Sequence, residues 1–145
     1  MKASQAAIDL IKRFESLRLE AYLCPAGVRT IGWGHTAGVQ PGQQITVEEA
    51  EDLLRRDIQD VENDLASVMH TPLTQGEFDA LVSLCFNLKG GARRLPRMAP
   101  KLVEKLKAGD RFGASMELLD INRVHGQPMF GLTRRREAER LLFVA

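Results

Sequence analysis

The segment Phe14-Glu15-Ser16-Leu17-Arg18-Leu19-Glu20-Ala21-Tyr22-Leu23-Cys24-Pro25-Ala26-Gly27-Val28-Arg29-Thr30-Ile31-Gly32-Trp33-Gly34-His35-Thr36 passes from one periodicity to another. Ahead of it, Ala7, Ile8, Ile11 and Phe14 recur at helical spacing behind Ser4, a residue suited to capping. Beyond Glu15 come short alternating runs broken by Pro25, Gly27, Gly32 and Gly34, the pattern of a small antiparallel sheet. A helix therefore runs into Glu15 and a hairpin leaves it. Glu15, Cys24 and Thr30 follow at separations of nine and six residues. A carboxylate, a thiol and a hydroxyl are thus expected around one helix-to-hairpin corner, a place suited to acid–base chemistry. Glu15 also stands against its local field. The last turn of a helix carries partial negative charge and disfavours a carboxylate by up to ~1 kcal/mol. A solvated surface glutamate is the plain alternative.

Working outward, the remaining signals are mostly helical. Pro41-Gly42 marks a turn. Thr46-Val47-Glu48-Glu49 is a capping box that opens a long helix with Ala50, Leu53, Leu54, Ile58, Val61, Leu65 and Val68 on one face, ending before Pro72. Thr74-Gln75-Gly76-Glu77 is a second, opening a nearly apolar helix through Leu88 that belongs at the centre of the core and is broken by Gly90-Gly91. Pro96 to Lys107 reads as one helix stopped by Gly109. Asp110 can cap the next, which carries Phe112, Met116, Leu118 and Leu119 to about Arg123. Gly126 to Gly131 is expected to be a loop. Thr133 then caps a final helix that buries Ala138, Leu141 and Leu142. The expected class is α+β: a helical bundle lobe, a small N-terminal sheet lobe, and a cleft between them, in a single domain over 1–145.

Thr30-Ile31-Gly32-Trp33-Gly34-His35, preceded by Glu15 and Cys24 without gaps, resembles the N-terminal signature of phage-type lysozymes, the muramidase endolysins of glycoside hydrolase family 24. The resemblance continues through Pro72-Leu73-Thr74-Gln75, Phe78-Asp79-Ala80-Leu81-Val82-Ser83, Phe86-Asn87-Leu88 and Gly131-Leu132-x-Arg134-Arg135-Arg136-x-Ala138-Glu139, so it spans nearly the whole chain. It implies a two-lobed lysozyme fold. It also implies Glu15 as catalytic acid, with Cys24, where many relatives carry Asp, and Thr30 beside it. Two departures stand out. Ser16 replaces the Gly that commonly follows the catalytic Glu, and Arg93-Arg94-Leu95-Pro96-Arg97-Met98-Ala99-Pro100 replaces a Ser/Thr-rich helix start.

Glycosidic cleavage needs an acid for the leaving oxygen and a means of delivering a nucleophile to the sugar carbon. Glu15 is the candidate acid. A thiol at position 24 has a reference pKa of about 8.5 and is mostly uncharged at neutral pH, so it recruits water less well than Asp. Thr30 can hold a water or serve as a β-branched strand residue. Gly32 and Gly34 allow close approach of backbone to a sugar ring. Trp33 either stacks on a sugar face or packs inside. His35 is a second acid–base candidate or, more in keeping with the family, a partner of Asp57 that lowers the carboxyl's pKa. Asn87 suits a saccharide hydroxyl or acetamide, or a helix end. Arg135 or Arg136 matches the family's C-terminal arginine near the catalytic Glu, which steadies the carboxylate and favours its ionised form.

A net charge of +1 over 145 residues does not advertise nucleic acid or membrane as a partner, although basic clusters at Arg93–Lys101 and Arg134–Arg140 suit an anionic wall polymer. Cys24 and Cys85 have no metal-like spacing, and no cofactor is implied. One disulfide between them is possible in principle, and two thiols fit a chain without a secretory signature. Cys85, among Leu81, Val82, Leu84 and Phe86, reads as core. With no apolar run of signal-peptide or membrane-span length, the expected location is the host cytoplasm, with action on the periplasmic wall after permeabilisation. The expectation is a monomeric endolysin cutting β-1,4 bonds between N-acetylmuramic acid and N-acetylglucosamine in peptidoglycan, with access provided by a holin. The rivals are a lytic transglycosylase acting on the same bond, a non-catalytic glycan-binding protein of the same fold and, more weakly, a helical nucleic-acid binder.

Overall fold

Thr46 and Thr74 start the two helices that frame the core. Each threonine hydroxyl accepts the N–H of the residue three positions on, at 3.1 Å, and Glu49 and Glu77 reach back to the threonine N–H groups. In a computed structural model, which describes residues 1–88, 91–124 and 126–145, these helices are α2 (Val47–Val68) and α3 (Gln75–Asn87). Ahead of them lie α1 (Gln5–Glu15), β1 (Arg18–Leu23) and β2 (Arg29–Gly32). After them come a 3-10 turn over Gly91–Arg94, α4 (Leu95–Met98), α5 (Pro100–Lys107), α6 (Arg111–Glu117), a second 3-10 turn over Leu118–Asp120, the short hairpin β3 (Arg123–Val124) and β4 (Gln127–Pro128), and α7 (Phe130–Val144).

α3 is the central element and packs against α1, α2 and α7. Ala80, Leu81, Val82 and Leu84 are fully buried on it. Full burial stabilises a Leu or Val by roughly 1.5–3 kcal/mol each. Leu54, Ile58 and Leu65 of α2, Leu102 and Leu106 of α5, and Leu118 belong to the same cluster. β1 and β2 pair antiparallel with Tyr22 opposite Thr30 and Leu23 opposite Arg29. The strand β1 is further held by Ala21 N–H to Gln43 O at 2.8 Å and Ile45 N–H to Leu19 O at 2.9 Å. The expected α+β organisation, helices plus a small N-terminal sheet, is what the chain adopts.

Several local expectations are corrected. Ser4 sits at the N-cap of α1 without capping it. Its hydroxyl and N–H both donate to the Asp79 carboxylate of α3, fastening the start of one helix to another. Pro96 to Lys107 is two helices, because Pro100 cannot continue a helical hydrogen-bond ladder and holds Ala99 at φ −137°, ψ 58°. Residues 126–131 form no simple loop: β4 pairs with β3, and α7 starts at Phe130. Thr133 lies inside that helix and accepts the Asn122 side-chain amide at 3.0 Å. Phe112 and Leu141 are outside, 68% and 66% exposed, and the buried face of α7 is Arg135, Arg136, Glu139 and Phe143. Gly90 of the expected break lies outside the described residues, whereas Gly91 opens the first 3-10 turn at φ +62°.

α3 and α7 approach closely at Gly76. A Cβ there would clash with the Leu142 carbonyl oxygen, a backbone atom that cannot step aside. Gly76→Ala should therefore destabilise by about 1–3 kcal/mol, as overpacking does, and lower Tm by several degrees. An unchanged thermal unfolding midpoint would contradict the contact.

Candidate active site

Glu15 is the last residue of α1, and Ser16 swings the chain into β1 at φ 53°, ψ 142°. This is the positive-φ region that favours glycine, and holding another residue there costs about 1–3 kcal/mol. Ser16 is the one non-glycine residue in it among those described. The turn brings Glu15 against the Ile31–His35 bend, where two backbone hydrogen bonds of 2.9 Å join Ile31 and His35. Gly34, at φ +77°, has no side chain because none fits: a Cβ would lie 2.7 Å from Glu15 Oε1. The other oxygen, Oε2, accepts from Arg135 Nη1 of α7 at 2.5 Å. The carboxylate is thus gripped on one oxygen and lies beside the Gly34 bend with the other, its side chain 20% exposed and that of Arg135 4%.

Cys24 and Thr30 stand on the hairpin that follows. The Cys24 N–H, at 3.0 Å, and the Thr30 hydroxyl, at 2.9 Å, donate to one acceptor, the carbonyl of Val28. Cys24 is partly exposed, and Thr30 is buried with its hydroxyl hydrogen committed to Val28. Among the described residues neither cysteine forms a disulfide. Cys85 is 1% exposed. Burial, reinforced by the Glu139 carboxylate, pushes its thiol up to about 12.

His35 and Asp57 meet as expected, Nδ1 to Oδ2 at 2.8 Å, and His35 Nε2 lies 2.9 Å from the Ala37 carbonyl. Both ring nitrogens are engaged, so His35 ties the bend to α2 and has no nitrogen left for acid–base work. The expected direction for Asp57 is reversed. Burial pushes its carboxyl up, Asp60 adds to that, and the His35 contact only partly compensates.

For Gly32, Trp33 and Asn87, expected at the sugar, the structure shows contacts within the protein. Gly32 is buried at φ +66°, the region that favours glycine, and a Cβ on it would lie in ordinary contact with Ala50 and Ile45 at 3.7 Å. Trp33 is 8% exposed within the core cluster, with Lys12 Nζ 4.6 Å from the ring centroid. Asn87 uses its amide oxygen on Arg136 Nη2. Of the two arginines left open, Arg135 reaches Glu15, and Arg136 is fully buried beside Glu139 and Asn87. Burial pushes the Arg136 guanidinium down and the Glu139 carboxyl up, and each one's charge only partly compensates for the burial of the other. Glu139 and Ser83 had no place in the expected site, yet both contact Arg135. Their signal was charge at helical spacing, Arg135, Arg136 and Glu139 on the face that also carries Phe143.

A groove of about 380 Å³ between α1 and α2 is lined by Ile8, Lys12, Glu51, Leu54, Arg55 and Glu62 among others, and Glu15 does not line it. Its Lys12–Glu51 pair is closed on itself at 2.5 Å, so the acid–base geometry at Glu15 marks the site better than the depth of this groove. Among the described residues no three His, Cys, Asp or Glu side chains are arranged to hold a metal ion.

The family model for phage lysozyme matches residues 12–139. The chain belongs to the phage lysozyme family. It is 43% identical over 147 residues to the endolysin of Acyrthosiphon pisum secondary endosymbiont phage 1, covering 99% of this chain and 98% of that protein. It is 41% identical to the endolysin of Bacillus phage B103, covering 99% of this chain and 54% of that longer protein. Among solved structures, the muramidase domain of SpmX from Asticaccaulis excentricus superposes with a TM-score of 0.87 at 36% identity, over 99% of this chain and 98% of that one. Phage lysozyme membership thus covers both the Glu15 corner and the α7 arginines.

The raised Asp57 carboxyl has a consequence for this lysozyme's stability. The folded state holds that proton more tightly than the unfolded state, so stability falls as pH rises above the ordinary value of 3.8 toward the raised one. Asp57→Asn carries no such proton. Its destabilisation relative to wild type should be largest below about pH 4 and shrink as pH rises through the mildly acidic range. Thermal melts of both proteins across that range check this, and a deficit that grows with pH would contradict it.

Proposed function

We propose that this phage lysozyme cleaves the β-1,4 bond between N-acetylmuramic acid and N-acetylglucosamine in peptidoglycan, with Glu15 donating the proton to the leaving oxygen. The observation that carries this is the placement of the Glu15 carboxyl. Arg135 binds Oε2, while Oε1 lies against the side-chain-free Gly34 bend. One oxygen is fixed and the other is left to carry the transferable proton, as a general acid requires. Cys24, on the hairpin turn that Val28 closes, would help deliver water, most effectively as thiolate. Thr30 enters as support for that turn, since its hydroxyl hydrogen is used on Val28. His35 and Asp57 keep the Gly34 bend in place from α2.

The enzyme is proposed to act as a monomer, released to the wall from the cytoplasm by a holin-type partner that permeabilises the membrane. Among the described residues no helix is long and apolar enough to cross a membrane. Lytic transglycosylation is the second reading. It is favoured by the thiol at position 24, because a weaker water-recruiting group leaves room for attack by the muramyl residue's own hydroxyl.

Glu15→Gln keeps shape and removes the proton, so lysis of purified sacculi should fall by at least about 10²-fold with the fold intact. Mass spectrometry of the released muropeptides should show reducing muramic acid ends; 1,6-anhydro ends would replace hydrolysis by transglycosylation. Near-normal lysis by Glu15→Gln would remove Glu15 from the mechanism.

Thiol reagents separate the two cysteines. In the native protein Cys24 should react and the buried Cys85 should not. Alkylation should slow lysis, and Cys24→Asp should retain activity with its optimum at lower pH, because Asp ionises at about 3.9 against about 8.5 for Cys. Undiminished turnover by Cys24→Ala would show that the position carries no chemistry.

A further inference from the structure

Arg135 is 3% exposed, and its guanidinium is held at three points. Nη1 donates to Glu15 Oε2, Nη2 to the Ser83 carbonyl at 3.1 Å, and Nε faces Glu139 Oε2 at 3.4 Å. That same Glu139 oxygen accepts the Ser83 hydroxyl at 2.5 Å. Glu139 is wholly buried, and its second oxygen lies 3.1 Å from Arg136 Nε. A guanidinium is planar and rigid, so fixing Nε and Nη2 fixes the direction in which Nη1 points. Main chain at Ser83 fixes one of these, and the Glu139 carboxylate fixes the other.

From this geometry we infer that Glu139, seated by the Ser83 hydroxyl, is a positioning residue for the acid Glu15 and acts on it through Arg135. The inference rests on the reading of Glu15 as the acid. Glu139 touches no part of Glu15 itself. It aims the cation that grips Glu15 and takes up part of that cation's field.

The charge arrangement makes the second role specific. The groups that face Glu139 are Arg135 and Arg136 on its own helix, Ser83 and Cys85 from α3, and, beyond Arg135, Glu15 from α1. The Cys85 thiol, at about 12, is neutral over the working range. The string Glu15–Arg135–Glu139–Arg136 therefore alternates in sign. Burial favours a neutral Glu139, whereas the two guanidiniums favour its ionised form, and neutrality would leave Arg136 buried with only the Asn87 oxygen as partner. Removing its charge turns the full field of Arg135 onto Glu15 and favours the form that has already given up its proton.

The test compares kcat, KM and the pH profile of kcat/KM for wild type, Glu139→Gln, Ser83→Ala and Glu15→Gln, using soluble peptidoglycan fragments and the full chain. Glu139→Gln should lower kcat at least about tenfold with KM changed less than about twofold, because the acid is disturbed and the glycan contacts are not. Its alkaline limb should move to lower pH, and Ser83→Ala should move it in the same direction by less. A fall in activity that follows only the folded fraction, with the profile unmoved, would overturn the inference. If Glu139→Gln does not fold, Ser83→Ala decides alone: a shifted limb supports the inference and an unshifted one overturns it. Wild-type lysis by Glu15→Gln would overturn the assignment of the acid, and with it the object of this positioning. A dead Glu15→Gln beside unshifted Glu139→Gln and Ser83→Ala would leave that assignment standing and remove Glu139 from it.

Discussion

One planar cation joins three helices. The Arg135 guanidinium takes an acceptor from α1, one from α3 and one from its own helix α7, so the relative placement of these elements is set by where a rigid fork can be satisfied. The arrangement is costly, since each buried ion loses several kcal/mol of hydration. That cost is offset by the alternation of charge along the string, and the α3 core contributes separately through Leu81, Val82 and Leu84, each worth roughly 1.5–3 kcal/mol when buried. Removing one partner of such a buried pair typically costs about 3–5 kcal/mol, far more than the pair adds over an apolar replacement. The interaction therefore restricts the alternatives open to the chain more than it stabilises the native one.

The corner at Glu15 is built from two opposite uses of unusual backbone. Gly34 takes a positive φ and must stay bare because the carboxylate occupies the space of its missing side chain. Ser16 takes a positive φ although it has a side chain, and bears the strain of doing so. The first prevents a clash and the second turns the chain. Both place the end of α1 against the Ile31–His35 bend, and the His35–Asp57 contact carries that bend onto α2.

Elements whose boundaries rest on local chemistry were legible in the sequence. Thr46, Thr74 and Asp110 cap helices because an oxygen at that position reaches N–H groups three residues on, whatever the rest of the fold does. Glu15 and Cys24 were singled out by spacing and by the family signature, and the corner where helix gives way to hairpin lies where that spacing put it. What escaped depends on tertiary placement. On α7 the buried face holds Arg135, Arg136 and Glu139, so a search for apolar periodicity rotates the helix and takes Leu141 inside. Trp33 and Gly32 lie where both sides of a strand are covered, and alternation then has no solvent side to report. The partnership of His35 and Asp57 could be named from residue types, but the sign of the Asp57 shift required knowing how deeply the pair is buried. The break before Pro100 was within reach of the sequence, since the residue preceding a proline is pushed out of helical conformation.

The shared carbonyl of Val28 holds the Cys24 turn through the Cys24 main chain and the Thr30 hydroxyl. A substitution at position 24 leaves both of those donors in place. Arg135 is the opposite case: the guanidinium that grips Glu15 also bridges α1, α3 and α7, so a change there reaches the carboxylate and the helix packing together.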